Sequence, residues 1–314
     1  MTVAEVNTPL KSSTTGLTFR HILVATDFSE ASRRALREAL ALAAENDAQL
    51  SVMHVLHPDR TYAALENPPE LDLERIDAEK QFKRLLNELK PEHKVTTFVK
   101  HGNVTLQVLS LIEKEAIDLL LIGTRARGGL TKVALGSVAE ELLRVAPCPV
   151  MTIGPQADFA TAGFHRILFA TDFGKGSAKA LPLALALARA PQTQLILLHM
   201  IQPVPSSSAS LSAYAPATAA ADEVEELEGT YRARAVKQLK ECLPADGGLA
   251  QEPKFVVGTD FLAEGILTAS GKYNVDLIVM GANRTSSKMA AHIPWSAVHE
   301  VVRDAPCPVL TVAG

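Results

Sequence analysis

Cysteine is scarce in this chain of 314 residues: only Cys148, Cys242 and Cys307, an odd number at spacings unlike those of a zinc site. That argues against a disulfide framework and against a structural metal. No apolar run approaches the ~20 residues that a membrane helix needs. The first 18 residues have no apolar signal-peptide core, so the expected compartment is the cytoplasm and no membrane partner is implied. Charge of one sign is not in excess either, with 31 Lys and Arg against 35 Asp and Glu for a net charge of −4. The basic residues are scattered rather than gathered in a stripe, so nucleic acid is not an expected partner. Catalytic equipment is thin as well. Gly174-Lys175-Gly176-Ser177 lacks Walker A spacing, Lys179 stands where a dinucleotide fingerprint needs its third glycine, and no general base is placed persuasively.

What the chain does have is a repeat. Phe19-Arg20-His21-Ile22-Leu23-Val24-Ala25-Thr26-Asp27-Phe28 returns as Phe164-His165-Arg166-Ile167-Leu168-Phe169-Ala170-Thr171-Asp172-Phe173. His54 and His199 keep the same offset, and Pro-Cys-Pro-Val at Pro147 returns at Pro306 with a larger one. About one loop's worth of residues has therefore entered the second copy. The expected organisation is a polar tail over 1–18, one unit over 19–154, a short linker, and a second unit over 164–314, each long enough for its own core.

Within the first unit, Ile22 to Ala25 is a short continuous apolar run, as a strand covered on both faces requires. Ser29 is placed to cap a helix over 31–45, where Ala35, Leu36, Ala39, Leu40 and Ala43 recur at helical spacing. Leu50 to Val55 reads as the next strand. A helix over 70–89, a strand at 95–99, a helix from Val104 to Glu115, a buried strand from Asp118 to Ile122, a helix from Ser137 to Val145 and a strand from Val150 to Ile153 complete it. The second copy repeats the order, with strands near 166–170, 194–200, 253–257, 276–280 and 308–312. Its extra residues fall in Pro203 to Ala221, read as a loop before a helix from about Asp222 to Cys242. The fold class is α/β: two five-stranded parallel-sheet α/β sandwiches of the doubly wound type, packed as an internal pseudo-dimer because the linker is short. Cys148 and Cys307, equivalent by the repeat and flanked by proline, read as buried thiols at the start of a strand. His54 and His199 read as structural hydrogen-bonding residues.

Ligands of open parallel sheets bind beyond the carboxyl ends of the strands. There the stretch from Gly123 to Ser137 carries Gly128, Gly129 and Gly136 together with Arg125, Arg127 and Lys132, and runs directly into a helix. Glycines let backbone N–H groups approach an anion, and a helix start adds unpaired donors and the positive end of a dipole. A phosphate chain suits that combination. Ser137 could donate to it or cap the helix.

Gly123, two residues, Ala126, nine residues and Gly136-Ser137 resemble the nucleotide loop of the universal stress protein family, usually Gly-x-x-Gly-x9-Gly-Ser/Thr. Ala25-Thr26-Asp27, His54-Val55 and Pro-Cys-Pro-Val resemble the family too, so the likeness spans both copies. The resemblance implies a Rossmann-like fold, binding of ATP or AMP with Mg2+ as an accompanying ion, and assembly through the last strand of each unit. It implies a nucleotide site of Ala25, Thr26, Asp27, Val55, Ile122 and Gly123 around the adenosine, with Arg125, Ala126, Gly136, Ser137 and Val138 around the phosphates. No catalytic or metal-ligating residue follows from it.

The chain departs from the family pattern at Ala126, whose methyl group disfavours a left-handed backbone by about 1 kcal/mol if the loop needs one. The second copy departs further. Arg284 replaces the second glycine, and Pro294 or Trp295 stands where Gly136 stood; Ser296 keeps a hydroxyl for capping. No ATP site of the usual geometry is expected there. The leading expectation is a nucleotide-binding regulatory stress protein acting through its first unit, with an adenine nucleotide and an unidentified protein as partners and pairing into a homodimer left open. The rivals are an interaction module that has lost nucleotide binding and a slow ATP hydrolase.

Overall fold

The computed structural model describes residues 19–56, 69–124, 135–157, 163–201, 217–244, 248–282 and 295–314, with the side chains of 69–72 and 217–228 left aside. In chain order the elements are β1 (His21–Ala25), α1 (Glu30–Asn46), β2 (Gln49–Leu56), α2 (Pro69–Leu89), β3 (Val95–His101), α3 (Val104–Lys114), β4 (Leu119–Gly123), α4 (Ser137–Val145) and β5 (Val150–Ile153). The second copy supplies β6 (Arg166–Ala170), α5 (Lys175–Leu187), β7 (Gln194–Met200), α6 (Ala217–Glu241), β8 (Lys254–Gly258), α7 (Leu262–Lys272), β9 (Leu277–Ala282), α8 (Trp295–Asp304) and β10 (Val309–Ala313).

Local chemistry fixes these boundaries. The Ser29 side chain caps α1 by accepting from the Ser32 amide, and Glu30 sits in the first turn where the dipole favours an acid. Asn103 caps α3 in the same way, accepting from the Leu106 amide at 2.9 Å. Proline opens α2, where its missing N–H removes nothing. Two expected caps are not caps. Gly136 is the N-cap of α4 and Ser137 its first helical residue, while Ser296 is the second residue of α8. A hydroxyl inside the first turn stands past the position from which it can reach back to the N2 or N3 amide. Helix α6 also starts earlier than expected, at Ala217, because the Ala-Thr-Ala-Ala-Ala run is strongly helix-forming rather than loop-like.

The ten strands form one sheet in the order β3-β2-β1-β4-β5-β10-β9-β6-β7-β8. Pairing is parallel throughout each copy and antiparallel at the single seam, where Thr152, Met151 and Val150 face Val309, Leu310 and Thr311. The buried hydroxyls of Thr152 and Thr311 donate across it to the carbonyls of Val309 and Val150, at 3.2 and 3.1 Å. The internal pseudo-dimer is thus a continuous sheet. Its central strands carry fully buried side chains such as Ile22, Leu23, Leu120, Phe169 and Ile278, as strands covered on both faces must. The two core layers, one on each face, both run through the seam. Cys148 and Cys307 are buried free thiols just before β5 and β10, each pushed up to about 12 by burial.

At the foot of each copy an aspartate ties the first strand down. Asp118 accepts from the Arg20 and His21 amides, and Asp276 accepts from those of His165 and Arg166.

Candidate functional site

Strand order reverses beside β1, between β1 and β4, so the crevice above their carboxyl ends is where this topology leaves room. A cavity of about 520 Å³ lies there, within the range of about 300–1,000 Å³ common to small-molecule sites.

Its floor is made by the turn after β1. Phe28 holds a left-handed backbone, φ 59°, and Phe173 does so in the second copy at 57°. Such a conformation costs roughly 1–2 kcal/mol for a residue with a Cβ. Local bonds offset it. The Phe28 amide donates to Thr26 Oγ1 at 3.0 Å, and the ring packs 4.5 Å from His54 and 5.0 Å from Phe82. Asp27 Oδ1 accepts from the Ser29 amide at 3.0 Å and from Ser32 Oγ at 2.9 Å, which aims the exposed carboxylate at the cavity edge. Asp172 makes the corresponding bonds to Gly174 and Ser177, so this part of the turn is structural in both copies. His54 donates from Nδ1 to the Thr26 carbonyl at 2.8 Å and His199 to that of Thr171 at 2.8 Å, as structural histidines do.

The cavity wall joins Ala25, Thr26 and Asp27 from the end of β1, Val55 from β2, Ile122 and Gly123 from β4, and Gly136, Ser137 and Val138 from the start of α4. Arg125 and Ala126 lie outside the described residues, as do Arg284 and Pro294. Sequence reasoning did not name Ser32, Met53, Val104, Leu135, Ala139 and Glu140, which also line it, and it read His54 as structural only. The start of α3, Val104, was legible in principle, because helices that follow neighbouring strands open onto the same crevice. One side is apolar, from Met53, Val55, Val104, Ile122 and Leu135. The other is the first turn of α4, where Gly136 supplies no side-chain cap and the early amides have no partner within the helix. A flat apolar group on one side and an anion on the other match these walls.

The two glycines of the loop differ in what they do. A Cβ on Gly123 would stand 2.3 Å from the Ala31 carbonyl carbon and oxygen, so this glycine lets α1 cross β4 closely. Gly281 does the same beneath α5, 2.1 Å from the Gly176 carbonyl carbon, which explains why the second copy retains it. Gly136 is different. Its φ of −64° suits any residue, and among the described residues nothing lies within 4 Å of a Cβ built there. Its missing side chain leaves open space over the helix start.

The second copy carries larger side chains at two of the equivalent positions. By the register of the strands Met200 takes the place of Val55, and its Sδ and Cε lie where a Cβ of Gly258 or Gly265 would be, 2.1–2.8 Å away. Aligning Pro147 with Pro306 matches Gly136 to Trp295, which opens α8 with the Arg144 guanidinium 4.6 Å from its ring centroid. The buried indole N–H has no hydrogen-bond partner among the described residues.

Among the described residues no helix is long and apolar enough to cross a membrane. Residues 18–154 and 163–313 each match the family model described as "Universal stress protein family". Universal stress protein A homolog 1 of Coxiella burnetii is 36% identical over 140 residues, covering 43% of this chain and 96% of the relative. Universal stress protein YxiE of Bacillus subtilis is 27% identical over 146 residues, 43% of this chain and 99% of the relative. Each therefore corresponds to a single copy of the repeat. A universal stress protein from Archaeoglobus fulgidus has a similar fold along both copies, with a TM-score of 0.62 at 19% identity over 93% of this chain and 98% of that one.

Proposed function

The chain belongs to the universal stress protein family, and on that premise we propose that it is a regulatory protein whose first copy binds an adenine nucleotide in the crevice above β1, β2 and β4. The observation that carries this reading is the open space at Gly136, where an uncapped helix start faces an apolar wall across one cavity. Val55, Ile122 and Met53 would enclose the base. Asp27 would accept from a ribose hydroxyl. The amides that follow Gly136, with the Ser137 hydroxyl now released from capping, would take the phosphates, and Arg125 and Ala126 would flank them. Among the described lining residues the carboxylates are Asp27, bonded to Ser29 and Ser32, and Glu140, paired with Arg144, and binding rather than turnover is the expected activity.

The second copy binds no nucleotide in this reading, since the bulkier Met200 and Trp295 stand at the positions of Val55 and Gly136. Calorimetric titration of ATP and of AMP, with and without Mg2+, into the wild type and Gly136→Trp tests both statements. Binding at one site per chain, abolished by the substitution, is expected. A wild type that binds neither nucleotide would overturn the proposal and favour an interaction module.

A further inference from the structure

The contact between Arg144 and Trp295 crosses from one copy to the other: the arginine ends α4 of the first, and the indole opens α8 of the second. The repeat assigns both residues a counterpart. With Pro147 aligned to Pro306, Trp295 corresponds to Gly136 and Arg144 to Arg303. The seam between β5 and β10 is antiparallel, so it relates the copies by an approximate two-fold axis and the contact has a mirror image. That symmetry would bring the last turn of α8 toward the start of α4, with the indole absent.

A second observation puts the end of α8 against the first copy, at the carboxyl end of its sheet. A Cβ on Gly154, at the end of β5, would lie 3.6 Å from the Ala305 carbonyl oxygen, 3.9 Å from that of Val302 and 3.9 Å from Thr124 Oγ1. The C-terminal turn of α8 therefore rests against the end of β5, close to the residue that follows Gly123. Arg303 lies in that turn, between Val302 and Ala305, with about a third of its side chain exposed. Its sequence-local partner is Asp304, through bonds of 3.0 and 2.6 Å. Arg144 is instead held back along its own helix by Glu140, and at the matching position α8 has His299.

We infer that Arg303, from the second copy, contributes to the nucleotide site of the first by pairing with the phosphate chain over Gly136. This rests on the reading of that cavity as a nucleotide site. An exposed pair such as Arg303 with Asp304 stabilises little, and a polyphosphate presents more charge and more acceptors to the guanidinium fork than one carboxylate does. The second copy then has a definite task. It keeps no usable site of its own and completes its neighbour's. The longer the phosphate chain, the further it reaches beyond the Gly136 amides toward α8, so the arginine discriminates ATP from adenosine.

Calorimetric titration of ATP and adenosine into the intact wild type, Arg303→Ala and Arg303→Lys separates the possibilities. Arg303→Ala is expected to weaken ATP about tenfold, the effect of losing one charge-assisted contact in a half-exposed setting, and to leave adenosine affinity unchanged. Arg303→Lys is expected to recover part of the loss. ATP affinity within twofold of wild type in Arg303→Ala would overturn the inference while leaving the nucleotide reading intact. Equal losses for ATP and adenosine would overturn it too, by showing a structural effect of the substitution. A wild type that binds ATP nowhere would remove both.

Discussion

Glu38 is a carboxyl group buried to 4% exposure on α1, and replacing it with glutamine should make the protein more stable in alkaline solution and nearly indifferent in acid. Burial pushes its pKa from 4.5 up to about 7, helped by the negative charges of Glu45 on the same helix and of Asp276 from the second copy. Glu45 is raised by burial as well. Burial also raises Asp276, opposed by the two amides it accepts from and by His165, whose Nδ1 lies 3.7 Å from its Oδ2. A raised acid is favoured in its protonated form by the fold. Its stability is therefore complete below pH 4.5, where the unfolded chain is protonated too, and is lost as the pH rises through 7. The shift of about 2.5 units corresponds to roughly 3 kcal/mol of strain once the group is ionised, at about 1.4 kcal/mol per unit. Glu38→Gln, which cannot ionise, should recover about 3 kcal/mol at pH 8 and under about 1 kcal/mol at pH 5. With an unfolding entropy of about 2 cal/mol/K per residue, that is a rise of roughly 5 °C in Tm at pH 8. Thermal melts of both proteins at the two pH values decide the matter. An equal Tm difference at pH 5 and pH 8 would refute the reasoning, because it would show that packing rather than charge sets the effect.

Other measurements probe the remaining features. Gly123→Ala and Gly281→Ala should each lose at least about 2–3 kcal/mol in urea titrations, since the new methyl meets backbone that cannot yield, while Gly136→Ala, which only puts a poorer residue at the N-cap, should cost about 1 kcal/mol or less. In the native protein only the half-buried Cys242 should react promptly with a thiol reagent at pH 8. Cys148 and Cys307, held near 12 by burial, should react only on unfolding, which spectrophotometric thiol counting reads directly. Trp295 is the sole tryptophan and sits beneath Arg144 on α4. Its emission should therefore shift when ATP orders the first turn of that helix, and Arg144→Met should alter the spectrum without ligand.

Much of the architecture was legible because the chain repeats itself. Two runs as close as 19–28 and 164–173 must share a backbone, and short apolar strands alternating with helices leave one topology. Boundaries followed wherever a cap was chemically plain, as at Ser29. They failed at Ala217, where alanine-rich sequence was read as a loop, while the helix from Ser137 to Val145 stands as expected with Gly136 in the N-cap position. The glycines show the limit most clearly. Gly123 and Gly136 look alike in a motif, yet one is required by a helix crossing 2.3 Å away and the other faces open space. That distinction depends on what the backbone of Ala31 does, and sequence spacing does not report it. The left-handed Phe28 and Phe173 were invisible for a related reason, since their local cost is met by contacts to His54 and His199 far along the chain. Met200 escaped notice because its consequence appears only beside Gly258 and Gly265.

The seam between the copies has a meaning for how the protein is made. Strand β5 is buried along its whole length with β10 against its outer edge, and β10 is the tenth strand in chain order. While the chain emerges from the ribosome, Val150-Met151-Thr152-Ile153 waits through the synthesis of an entire second copy with its edge unpaired and its side chains apolar, the kind of edge that invites another chain. The partner it waits for is about 160 residues away and arrives last, as the separations of 157 and 161 between the Thr152–Val309 and Thr311–Val150 pairs record. A premature stop anywhere in the second copy would thus leave a sticky half rather than a smaller working protein, and the hazard window is set by translation time rather than by stability.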